Sequence, residues 1–81
     1  MESDNVIRLI DLKTGESLKV MGIKTDDVNL KRRLNDQGIT KGVTITIKGI
    51  APLGSPVHLK LRGYDLALEK KYLEYIEGLK V

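Results

Sequence analysis

Residues 43–62 read V-T-I-T-I-K-G-I-A-P-L-G-S-P-V-H-L-K-L-R, and both prolines of the chain fall inside this run. Val43, Ile45 and Ile47 alternate with Thr44, Thr46 and Lys48, and Val57, Leu59 and Leu61 alternate with His58, Lys60 and Arg62. An apolar residue at every second position turns one face of a strand to a core and the other to water. Two such strands around a Gly/Pro/Ser cluster predict an antiparallel hairpin, 43–48 against 57–62. Pro52 has no ladder donor and belongs where pairing stops, Gly54 can take positive φ, and Pro56 suits a strand start. A proline-ligand motif needs P-x-x-P, whereas Pro52 and Pro56 enclose three residues. The run is read as a loop within a folded domain.

Outward from the hairpin, the chain predicts more short strands. Val6 to Leu12 is an apolar entry, a short strand or a single turn, ending at Lys13-Thr14-Gly15. Leu18, Val20 and Ile23 mark a strand whose period breaks beside Gly22, the sign of a β-bulge. Thr25 or Asp26 is the expected N-cap of a helix at about 26–37, with Val28, Leu30, Leu34 and Ile39 as its apolar side and Gly38 as its stop. Gly63-Tyr64-Asp65 is expected as a turn or bulge, Leu66 and Leu68 as a strand, Glu69 to Glu74 as one helical turn, and Ile76, Leu79 and Val81 as the last strand. Short strands with one inserted helix predict a mainly β domain, a small, partly open barrel. Residues 6–81 are expected to form that single domain, with 1–5 as a disordered tail.

Composition narrows the function. A chain of 81 residues buries only roughly 60–65% of its unfolded surface, so the core is small. Cysteine is absent, which excludes disulfides and thiolate metal sites and favours the cytosol. No apolar run approaches the ~20 residues that span a bilayer. The start, M-E-S-D-N, is acidic rather than the basic opening of a signal peptide. Net charge is +3, from 14 Lys/Arg against 11 Asp/Glu, a mild excess that does not by itself point to nucleic acid. Phe and Trp are absent, so only three tyrosines are available for stacking on bases.

The ordered set R-R-L-N-D-Q-G-I-T-K-G (32–42), A-P-L-G-S-P (51–56) and L-R-G-Y-D-L-A-L (61–68) resembles the FeoA family, over about Leu9 to Val81. Arg33-Leu34, Gly38-Ile39, Gly42, Pro52, Gly54, Pro56, Arg62-Gly63-Tyr64 and Ala67-Leu68 match its pattern, while Gln37, Lys41, Ser55 and Glu69 depart from it. The resemblance implies an SH3-like barrel in the cytosol that acts with FeoB, a membrane transporter carrying a cytosolic GTP-binding domain. The same barrel occurs at the C-terminus of diphtheria-toxin-repressor-like metal regulators. With none of their DNA-binding helices present, the stand-alone reading is preferred.

The residues themselves offer little chemistry. His58 is the sole histidine, on a solvent face beside Lys60 and Arg62, and a metal site needs several convergent ligands. No metal site, cofactor or catalytic residue is therefore expected, and no P-loop motif is present. Lys31-Arg32-Arg33 reads as a solvated helix face, with Arg33 pairing locally, or as a docking face for an acidic partner. Lys31, Arg32 and the loop residue Leu53 are the candidate partner-binding positions. Tyr64 is expected to cap one barrel end. The function expected is docking on a FeoB-type partner, with no catalysis, no membrane insertion and no nucleic acid. A nucleic-acid or metal-responsive regulatory module is the alternative.

Overall fold

The hairpin is present. In a computed structural model, which describes residues 6–81, strand β3 (Thr44–Ile50) pairs antiparallel with β4 (Val57–Leu61). All six of its expected inward residues are buried. The pairing carries an irregularity the alternation did not announce: Ile47 faces Leu59 and Gly49 faces His58, which leaves Lys48 as the extra residue of a bulge. The strand then runs on to Ile50, which is half exposed. In the loop, Gly54 N–H donates to Ala51 O at 2.7 Å and Pro52 sits second in the turn so closed. The expected tail, residues 1–5, lies outside the described residues.

Around the hairpin lie β1 (Val6–Arg8), a 3₁₀ turn (Leu9–Asp11), β2 (Ser17–Ile23), helix α1 (Val28–Asp36), β5 (Tyr64–Leu68), the short α2 (Lys70–Leu73) and β6 (Ile76–Lys80). The entry segment is thus a short strand followed by a single turn. The strands form one sheet in the order β1-β6-β2-β3-β4-β5, every pair antiparallel. Hydrogen bonding does not close it, because β1 and β5 remain edges, so the barrel is open. The expected bulge in β2 falls at Met21: Val20 faces Gly78 and Gly22 faces Glu77. Where β2 pairs with β6, a Cβ on Gly78 would run into the Lys19 carbonyl oxygen, which explains a glycine inside a strand.

The core gathers Leu9 of the 3₁₀ turn with Leu18, Ile45, Leu59 and Ile76 of β2, β3, β4 and β6, all at 0% exposure. No polar or charged side chain is buried among the described residues. Hydrophobic burial therefore carries the fold without a buried ion pair or polar network.

Two local expectations need correction. The N-cap of α1 is Asp27, not Thr25 or Asp26: its Oδ1 accepts from Leu30 N–H at 3.1 Å, three residues on, where a cap oxygen reaches. Thr25 sits two residues back and accepts from Asp27 N–H. The turn after β4 is Arg62-Gly63, with φ +50° and +81°, a two-residue connection whose twist matches the strands. Tyr64 and Asp65 are strand residues, because the tight turn needs only two positions.

Candidate docking surface

Helix α1 is fastened to the sheet at its C-terminal end. At its C-terminus Gly38 takes φ +97°, Gly38 N–H donates to Asn35 O, and Ile39 N–H donates to Leu34 O at 3.0 Å, the paired bonds of a Schellman stop. Leu34 and Ile39, both buried, supply the apolar contact of that motif. The R-G-Y run then fastens the helix to the sheet. Tyr64 donates its hydroxyl to the Gln37 carbonyl, and Arg62 Nη2 donates to Thr40 Oγ1 at 2.8 Å. A Cβ on Gly38 would meet the Tyr64 hydroxyl. Tyr64, 40% exposed, is thus a strap on the helix end and not a cap buried in the barrel mouth.

Between its ends α1 buries only Leu34; Leu30 is half-buried and packs on the core. Val28 was expected on the apolar side but is 69% exposed. Helical spacing explains this: residue 28 shares a face with Arg32, four positions on, away from Leu34. Lys31 and Arg32 are both exposed as expected, and Val28 adds an apolar element to the same protruding face. Among the described residues Arg33 makes no ion pair; its guanidinium lies 5.8 Å from the Tyr72 ring centroid, a cation–π arrangement.

Two clefts flank the helix. One, of about 240 Å³, lies between α1 and the β5–α2 corner, with Leu30 and Arg33 on one wall and Ala67 and Tyr72 on the other. The second, of about 290 Å³, lies between α1 and β2, and there Lys31 is joined by Lys24 and Lys41. Sequence reasoning missed Lys24 and Lys41, which come from separate segments and carry no shared spacing. Arg32 lines neither of these two clefts. Leu53 stands apart on the β3–β4 loop, 97% exposed, so the structure does not gather the three candidate residues into one site. His58 is exposed on β4, and no group of three or more His, Cys, Asp or Glu converges among the described residues. Among these residues, too, no helix is long and apolar enough to cross a membrane.

Residues 7–78 match the model of the FeoA domain, most of the chain. The chain belongs to the FeoA family. That family is linked to ferrous iron transport, and an Fe(2+) transport protein A/Fe(2+) transporter FeoB fusion protein of Porphyromonas gingivalis is 30% identical over 88% of this chain. The chain spans only 8% of that relative's length. The solution structure of an FeoA-like protein from Clostridium acetobutylicum is 37% identical and superposes with a TM-score of 0.81, covering 90% of this chain and 84% of that one. An FeoA of Stenotrophomonas maltophilia, described as a prokaryotic SH3 domain protein complexed with zinc, is 22% identical with a TM-score of 0.73 over 86% of each chain, a likeness of fold. So is the match to a manganese-dependent transcriptional repressor, 14% identical with a TM-score of 0.87, covering 98% of this chain and 38% of that one. The SH3-like fold of this FeoA-family chain is therefore established, with its sheet open.

Proposed function

We propose that this chain is a cytosolic accessory protein of FeoB-type ferrous iron uptake, acting by docking on the transporter's cytosolic domain without catalysis. The fusion relative carries the reading, because there an FeoA unit and an FeoB unit share one chain. Covalent linkage replaces affinity by effective concentration, so two partners joined that way can work through a weak contact. Where the two units are separate chains, the contact must also supply the encounter. The protruding face with Lys31, Arg32 and Val28 suits an acidic partner surface and acts mainly on association rate. Docking then biases the transporter toward whichever conformation it prefers.

Reversing the charge with Lys31→Glu and Arg32→Glu should weaken binding to a FeoB cytosolic domain severalfold at low salt, where screening is least. Both residues are exposed, so circular dichroism should show an unchanged fold. A folded double variant that binds as tightly as the parent would reject this face and leave the Leu53 loop as the next candidate.

Iron in this reading is the transporter's cargo. The isolated chain is proposed to hold no tight Fe²⁺ site, since convergent ligands are too few among the described residues. An anaerobic calorimetric titration showing a stoichiometric sub-micromolar site would refute that. The regulatory alternative draws on the repressor likeness in fold. Salt separates the two, because nucleic-acid binding should weaken steeply and in proportion to the phosphates contacted.

A further inference from the structure

The two edges of β2 have different neighbours. One edge pairs with β6 along most of the strand, from Leu18 facing Lys80 to Ile23 facing Ile76. The other pairs with β3 only over Ser17 to Lys19. Its last bonds are Val20 N–H to Val43 O and Gly42 N–H to Val20 O, both at 2.8 Å. Beyond Val20 no strand lies beside that edge among the described residues. The bulge at Met21 then sets what the open edge presents. Lys24 N–H donates to Tyr75 O at 2.7 Å, on the β6 side. In an antiparallel ladder successive residues point their backbone groups to opposite edges, so the Ile23 N–H and C=O face the open one.

The second α1 cleft lies along this edge. Lys24, Lys31 and Lys41 line it, with Asn35 and the apolar Met21 and Ile39, and no carboxylate lines it among the described residues. An open edge is a template for another strand, and lysines placed along it repel a second copy of a basic chain while attracting an acidic one. We propose that this cleft takes an acidic segment of a partner protein, added to β2 in extended form at Ile23. The segment exchanges backbone hydrogen bonds with Ile23, sets carboxylates on the three lysines, and covers Met21, which is 43% exposed, with an apolar side chain. A free phosphate would satisfy the lysines alone and leave the backbone pair and Met21 unused. The cleft shares Lys31 with the α1 docking reading, but the proposal rests on the Ile23 edge, Lys24 and Lys41, which that reading does not use.

The probe is the peptide acetyl-Glu-Val-Asp-Val-Glu-amide, titrated into the ¹⁵N-labelled protein. The largest amide shifts should fall on residues 21–24, 31, 35 and 41, with slowed hydrogen exchange at Ile23. Two N-methylated versions of the peptide, methylated at alternate residues, should differ: the set facing β2 abolishes binding, while the set facing solvent does not. That arm leaves the protein untouched. Lys24→Glu with Lys41→Glu should cost about tenfold in affinity, whereas Lys48→Glu with Lys60→Glu, exposed lysines elsewhere, should cost less than about twofold. Equal binding by both methylated peptides would overturn strand addition, as would displacement by inorganic phosphate at equal concentration. Absence of binding would reduce the lysines to a guard against edge pairing. Stronger binding of a single-stranded oligonucleotide to the same residues would reassign the cleft to phosphates.

Discussion

The β3–β4 hairpin and helix α1 are held in opposite ways. Every expected inward residue of the hairpin is buried, so its position follows from side-chain burial along its whole length. Helix α1 buries only Leu34, with Leu30 half-buried on the core; Asp27 caps its start, and a glycine stop with a tyrosine strap fastens its C-terminal end to the sheet. An element with so few buried contacts keeps its flanks free. That is why two clefts and the exposed Val28, Lys31 and Arg32 border α1, and why the docking proposal is placed there.

Truncation inside the hairpin should therefore do the most damage. Leu59→Ala removes a side chain at 0% exposure and should cost about 2–5 kcal/mol, read from urea unfolding. Against the roughly 5–15 kcal/mol typical of whole domains, that is a large fraction. A loss below about 1 kcal/mol would mean the hairpin does not depend on burial.

The end of α1 should come next. Gly38→Ala places a Cβ at φ +97° and against the Tyr64 hydroxyl, and should cost about 1–3 kcal/mol, with helix-end amides losing exchange protection first. If the loss instead spread evenly over the sheet, the helix would not be fastened at that end. In the middle of α1, Val28→Ala should change stability by less than about 0.5 kcal/mol, because the side chain already faces water. A core-sized loss there would show that α1 is held along its length after all.

The smallest effect is expected at the surface pair of Glu16 and Lys80, 2.5 Å apart in the structure. The hydrogen bond from Lys80, and then that from Lys13 N–H, lower the Glu16 pKa below its ordinary 4.5. A carboxylate with a depressed folded pKa stabilises above its unfolded value, and that contribution is lost as pH falls through the folded one. Glu16→Gln should thus be slightly less stable than the parent at pH 7, and the gap should close in acid. A gap that widened on acidification would reverse the sign of this pairing.

Local rules made much of this protein legible in sequence. Period-two alternation determined the hairpin and its inward face, because a strand's side chains must alternate. Gly22 marked the bulge and Gly38 the helix stop, because each is punctuation acting within a few residues. Ambiguity began where neighbours compete for one role. Thr25, Asp26 and Asp27 can all cap, and only the observed chain path put the Asp27 oxygen on Leu30 N–H. Likewise Gly63 announced a turn, but strand pairing decided that Arg62 shares it and Tyr64 does not. Tertiary structure alone settled the surface: Val28 turned outward, Arg33 laid over Tyr72, and Lys24, Lys31 and Lys41 were brought to one cleft from three segments. Periodicity reports which side chains leave water, since burial repeats with the backbone. It is silent on which exposed charges meet, because that depends on where the sheet's order and the anchoring of α1 place them.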